Sequence, residues 1–181
     1  QMGHSTHILS PQDFRSVPCP TYPEISLALA SRAAVARHID RVQPDCLHIA
    51  TEGPLGWAAR GVALRRGWPF TTAYHSRFPE YVQARVHVPL DWSYALLRRF
   101  HNAAQATLAP TPAIVTDLVQ RGFTRARLWS RGVNLEAFTP QGPRLPRSHV
   151  PVFLYVGRLA DEKQVQAFLS LDLPGEKWVA G

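Results

Sequence analysis

Long apolar runs are missing from this 181-residue chain. None approaches the ~20 residues that a bilayer-spanning helix needs, so no transmembrane helix is expected. Cysteine is scarce: Cys19 and Cys46 are too few for a disulfide framework and lack metal-ligand spacing. Cys46 falls in an apolar stretch and is expected to be a reduced core residue. The opening residues, Gln1 to Ser5, do not show the charged-then-apolar pattern of a signal peptide. A cytoplasmic location is the resulting expectation. A lysine-rich tail and zinc-finger spacing are absent too. The net charge of +7 comes mostly from dispersed arginines. It would suit an anionic membrane surface or a phosphorylated substrate, and nucleic-acid binding is not expected.

What is present is a core-forming composition, with 45% apolar residues, and a periodicity that switches repeatedly. Residues 6–10 read as a strand, followed by a proline-studded loop over 11–23. Leu27–Val42 carries Leu29, Ala33, Ala36, Ile39 and Val42 at helical spacing. Strands are expected at 45–50, 70–75, 105–109 and 126–130. Helices are expected at 54–66, with proline in the first turn, from a cap at Asp91 to about Asn102, and from Thr111-Pro112 to Gly122. This alternation predicts parallel strands with crossover helices, a doubly wound α/β sheet. Residues 139–151, with Pro140, Pro143, Pro146 and Pro151, read as a linker. A second unit then starts, with a strand at 152–156, a helix at 165–171 and a strand at 177–180. The expected domains are 1–138, the linker 139–151, and 152–181.

The richest segment is Val152 to Lys163: a strand of β-branched and aromatic residues that looks buried, then Gly157, then Arg158 and Lys163 five positions apart. Glycine lets a backbone approach a ligand closely, and the two cations can close on that ligand from both sides of the turn. At the carboxyl end of a parallel strand such a loop suits a diphosphate. The same residues also fit a plain strand-end turn with two solvated cations.

Gly157-Arg-Leu followed by Glu162-Lys163 resembles the donor-binding turn that opens the second domain of family 4 glycosyltransferases, which have the two-domain GT-B fold. Val17-Pro-Cys-Pro-Thr-Tyr-Pro-Glu24, Thr51-Glu-Gly-Pro-Leu-Gly56, Thr72-Ala-Tyr-His-Ser-Arg-Phe-Pro-Glu-Tyr81 and Trp129-Ser-Arg-Gly-Val-Asn134 resemble the same family in the same order. They look most like its glycolipid-forming and mannosyl-transferring branch. The resemblance implies an acceptor-side Rossmann-like domain, without its first strand and glycine-rich loop, plus the first βα unit of a second, donor-side Rossmann-like domain. It implies that both ends are cut, before the paired-glutamate motif that contacts donor sugar and ribose, and that the fragment alone has no useful turnover. It also implies hexosyl transfer with retention from a GDP- or UDP-linked sugar to a lipid or saccharide hydroxyl, with no cofactor.

On that resemblance His75 lies beside the reacting sugar, Gly157, Arg158 and Lys163 hold the diphosphate, and Arg131 and Asn134 lie at the interdomain cleft. No second ligand stands close to His75 in sequence, so a metal site is not expected. Fixed cations can neutralise the leaving diphosphate instead. Glu52 at a strand end suits a sugar hydroxyl, whereas Gly53 is either an anion-binding turn or ordinary strand-to-helix punctuation. Arg77 and Glu80 either line an acceptor pocket or form a surface ion pair. Glu162 either orients Lys163 or favours a helix start. The basic-aromatic region 81–101 either lies on an anionic membrane or is a core helix with Trp92, Leu96 and Phe100 inward. A rival from another class is a non-catalytic α/β module that binds anionic lipid or a phosphorylated metabolite. It leaves the two ordered loops unexplained.

Overall fold

The computed structural model describes residues 3–20, 22–75, 78–80, 83, 88–130, 132–142, 148–159 and 163–181. The chain forms two compact units, Gln1–Arg131 and Gly132–Gly181. In the first, four short strands form one sheet in the order β3-β4-β5-β6: β3 (Leu47–Ile49), β4 (Phe70–Ala73), β5 (Ala106–Ala109) and β6 (Ala126–Leu128). Every neighbouring pair is parallel, with Ile49 opposite Thr72, Thr72 opposite Thr107, and Ala109 opposite Leu128. Parallel pairing demands crossovers, supplied by α2 (Pro54–Arg65), α3 (Leu90–His101) and α4 (Pro112–Gln120). This is the parallel α/β architecture that the alternating periodicity predicts, in keeping with the Rossmann-like domain that the resemblance implies.

Local chemistry sets the boundaries. Pro54 and Pro112 occupy first helical turns, where a missing N–H costs nothing. Thr111 caps α4 by accepting from the Ile114 N–H at 3.3 Å, and Gly122, at φ 84°, turns the chain just after α4 ends. Helix α1 (Arg32–Val42) starts later than its apolar spacing predicts, because the Ser31 side chain accepts from the Ala34 N–H at 3.1 Å and fixes the start there. Helix α3 starts at Leu90 after Pro89, so Asp91 sits in its first turn rather than at the cap.

Three expectations fail here. Residues 6–10 are not a strand; Ser10 instead caps a 3₁₀ turn at Pro11–Asp13, with its N–H donating to Asp13 Oδ2 at 2.7 Å. The supposed loop after it holds an antiparallel hairpin, β1 (Ser16–Cys19) and β2 (Tyr22–Ala28). Both strands of a two-stranded sheet are edges, which is why prolines are tolerated in them. Cys46 lies just outside β3 and is exposed, not a core residue.

The core of the first unit joins three clusters. Val35 and Ile39 of α1 meet Ala58 and Val62 of α2. Ile49 and Phe70 pack with Ala63, Phe100 and Ala104. Tyr74, Tyr94, Leu97, Ala109, Leu118 and Phe123 form the third. Gly56 makes a close approach possible, since a Cβ there would lie 1.9 Å from the Thr51 carbonyl oxygen.

In the second unit β7 (Val152–Val156) pairs in parallel with β8 (Glu176–Ala180), joined through the short helix α5 (Val165–Ser170). The β7 strand is less buried than its composition predicts. Phe153 and Tyr155 are half-buried, with Tyr155 against Phe168 of α5, while Val152, Leu154 and Val156 are exposed. One six-residue helix covers only one face of a two-stranded sheet.

Candidate functional site at the carboxyl edge of the parallel sheet

In open α/β sheets ligands bind outside the carboxyl ends of the strands. Glu52 lies three residues beyond Ile49 and His75 three beyond Thr72, and Ile49 and Thr72 are paired. The two side chains therefore leave adjacent strands at matching positions. His75 is exposed, and Glu52 is partly exposed next to Gly53, which caps α2 without a side-chain hydrogen bond.

Glu52 is anchored from beneath. Its Oε1 lies 3.0 Å from Nε2 of His101, the last residue of α3. A carboxylate can only accept, so Nε2–H donates. His101 is wholly buried, while the Glu52 side chain keeps 23% of its surface. The other ring nitrogen, Nδ1, shares a hydrogen bond of 2.8 Å with the Thr72 hydroxyl, whose oxygen lies 3.2 Å from the Thr107 hydroxyl. Buried polar groups are costly unless paired, and here both imidazole nitrogens and both threonine hydroxyls are paired.

A second polar cluster sits on α3. The Tyr94 hydroxyl donates to Glu80 Oε1 at 2.7 Å and lies 3.4 Å from the Tyr74 hydroxyl. Because Tyr94 spends its proton on the carboxylate, Tyr74 is left to donate to Tyr94. Glu80 Oε2 is shielded and meets no donor among the described residues. Burial pushes the Tyr74 phenol far up, helped by Tyr94 and the nearby carboxylates, and burial also raises Tyr94. Both stay neutral donors. The Arg121 guanidinium stacks 4.0 Å from the Tyr94 ring centroid and donates to Asp117 at 2.9 Å. Burial alone would lower the Arg121 pKa, but Asp117, Tyr94 and Glu80 outweigh it and leave it raised.

In the second unit the Gly157 N–H donates to Ala180 O at 2.9 Å, extending the β7–β8 ladder by one bond. The Tyr155 hydroxyl then donates to Arg158 O at 3.0 Å, which closes the turn. Arg158 and Lys163 are both exposed. Asn134 Oδ1 accepts from the N–H groups of Glu136 and Ala137, at 2.9 and 3.2 Å, and so fixes a turn. Arg77, Arg131 and Glu162 lie outside the described residues.

Of the residues that the core-helix alternative places inward, Phe100 is buried but Trp92 and Leu96 are not. Trp92 and Leu96 are 75% and 54% exposed; Tyr94, Leu97, Phe100 and His101 are buried. Tyr94, Leu97 and His101 recur at i, i+3 and i+7, so the buried stripe keeps helical spacing with Phe100 beside it. The roles of His101, Tyr94, Thr72 and Thr107 rest on partners from separate elements, which no local sequence signal marks.

The chain matches the family described as Glycosyltransferase Family 4 over residues 2–137. It belongs to that family. A sulfoquinovosyl transferase of Arabidopsis thaliana is 31% identical across 92% of the chain and 37% of its own length. GDP-mannose-dependent alpha-mannosyltransferases of Mycobacterium tuberculosis and Corynebacterium glutamicum are each 30% identical, across 73% and 81% of the chain. The chain spans 37% of the length of each of these three relatives. The family resemblance of the upstream segments therefore agrees with the family match. Among the described residues, no helix is long and apolar enough to cross a membrane.

Proposed function

We propose that the protein carrying this chain moves a hexosyl group from a nucleotide diphosphate sugar to a hydroxyl of a lipid or saccharide acceptor, with retention of configuration. The observation that carries the reading is the family match over residues 2–137; Glu52 and His75 follow the carboxyl ends of the paired strands β3 and β4, where such folds bind ligands. The relatives named for GDP-mannose dependence support a nucleotide-sugar donor, and the one named for sulfoquinovosyl transfer supports glycosyl transfer.

In this reading negative charge builds on the leaving phosphate as the donor bond breaks. Arg158 grips it in a bidentate fashion, Lys163 acts as a point charge, and Gly157 lets the backbone come close. One well-aimed donor is worth about 3 kcal/mol in the transition state. His75 contacts the reacting sugar. Glu52 accepts from an acceptor hydroxyl, and Gly53, Arg77, Glu80, Arg131 and Asn134 are the further acceptor-side residues of the proposal. No metal has a part in the scheme. The test is a screen of the whole protein against GDP- and UDP-linked sugars with lipid and saccharide acceptors. Turnover with at least one donor, abolished in His75→Ala, is the expected result; no transfer from any donor would overturn the proposal.

A second reading concerns where the protein works. The exposed Trp92 and Leu96 lie on one stripe of α3 with the exposed Arg99, an arrangement that suits the headgroup boundary of an anionic membrane. Arg98 is occupied differently, donating to Arg121 O at 3.1 Å. Vesicle co-sedimentation of Trp92→Ser and Arg99→Glu variants tests peripheral contact: loss of binding to anionic vesicles is expected, and unchanged binding removes it.

A further inference from the structure

We infer that His101 is a positioning residue: it holds the Glu52 carboxylate in the orientation that accepts an acceptor hydroxyl. The inference rests on the proposed sugar transfer and deepens it.

Four observations carry it. The imidazole is wholly buried, yet its Nε2 reaches a carboxylate that is partly open to solvent, 3.0 Å away. The ring cannot swing, because Nδ1 is tied to Thr72 at 2.8 Å and through it to Thr107, one bond into each of the two central strands. The rings of Phe100 and Phe123 flank it, with centroids 5.0 and 5.7 Å away. The backbone around it is pinned as well. Arg60 donates to the carbonyls of Arg99 and Phe100 at 2.6 and 3.1 Å, while the Asn102 amide donates to Gly122 O at 2.9 Å and accepts from Thr124 N–H at 3.1 Å. A rigid donor fixed from all sides thus grips one oxygen of Glu52. Among the described residues, nothing bonds the other oxygen, Oε2. Fixing one carboxylate oxygen on a buried donor sets the direction of the other, which is what positioning requires.

A purely structural histidine would need its two nitrogens satisfied, and no more. Two amide substitutions separate the cases. In His101→Gln the amide nitrogen falls near the Nε2 position and can still reach Glu52. In His101→Asn it falls near Nδ1 and cannot. Both lose the ring packing. The experiment measures acceptor KM, donor KM and kcat on the whole protein for His101→Asn, His101→Gln, Glu52→Ala and the His101→Asn/Glu52→Ala double variant. Loss of a hydrogen bond to a charged group corresponds to about 10- to 100-fold, so His101→Asn is expected to lower kcat/KM for the acceptor by that factor at unchanged donor KM. His101→Gln is expected to recover most of it, and the double variant to be no worse than Glu52→Ala alone. Equal losses in the Asn and Gln variants, or additive effects of His101→Asn and Glu52→Ala, overturn the inference while leaving sugar transfer intact. Should no donor be turned over by the unmodified protein, the proposed function fails instead. The same four variants then report through urea denaturation: non-additive stability changes support the grip on Glu52, and additive ones refute it.

Discussion

Replacing Gly56 by alanine probes the join between α2 and the loop that carries Glu52. A Cβ at this position would stand 1.9 Å from the Thr51 carbonyl oxygen and 3.2 Å from Ile49 Cγ2. The first contact is with backbone, so no side-chain rotation relieves it, and either α2 or the Thr51–Glu52 segment must move. Overpacking typically costs about 1–3 kcal/mol, and a backbone collision belongs at the top of that range. Helix propensity returns at most about 1 kcal/mol on changing glycine to alanine. The net loss is about 2 kcal/mol, or a fall of roughly 4–8 °C in Tm at this chain length. Gly61→Ala is the control. Its Cβ would meet Arg32 Nε at 3.0 Å, the far part of a flexible side chain, so it should be neutral or slightly stabilising. The assay is urea and thermal denaturation of both variants. If Gly56→Ala melts with the unmodified chain, or if Gly61→Ala is the worse of the two, the close approach is wrong.

Three other outcomes follow from the same geometry. Tyr94→Phe strips Glu80 Oε1 of its donor when Oε2 already has none among the described residues, so urea denaturation should show a loss of about 1–3 kcal/mol. Leu118→Ala empties a fully buried site and should cost about 2–5 kcal/mol, whereas Trp92→Ser, on an exposed position, should stay within about 0.5 kcal/mol by the same measurement. The Arg66 guanidinium holds Asp40 through bonds of 2.5 and 2.9 Å and lowers the carboxyl pKa below 3.8. A carboxyl whose folded pKa is lowered adds stability above its unfolded value and loses it as pH falls through the folded one. The gap in Tm between the unmodified chain and Arg66→Met should therefore narrow as pH drops below about 4, and a gap constant down to pH 2 would contradict the pairing.

Much of the parallel sheet was legible because its signals are local. Proline in the first turns of α2 and α4, the Thr111 cap and the glycine after α4 mark boundaries without any knowledge of tertiary contacts. The hairpin at 16–28 was not legible. Prolines 18, 20 and 23 argue against a strand unless the strand is an edge, and edge status is a property of the sheet, not of the segment. The inward positions of Tyr94 and His101 were hidden for a related reason. Trp92 is the largest apolar residue of the helix yet stays exposed, while the polar-tipped Tyr94 and His101 turn inward because partners wait there in Glu80, Tyr74, Thr72 and Glu52. Glu52 could be named from its place after a strand, but its anchor lies 49 positions away along the chain. Such a pairing shows only when the fold brings α3 back to the end of β3.

The most direct test of the account is nucleotide-sugar binding and turnover by the whole protein with Arg158→Ala, Lys163→Ala and His75→Ala. The account predicts that each of the first two weakens binding of the accepted donor, and that His75→Ala abolishes transfer. Donor binding and turnover unchanged in both cation variants would contradict it.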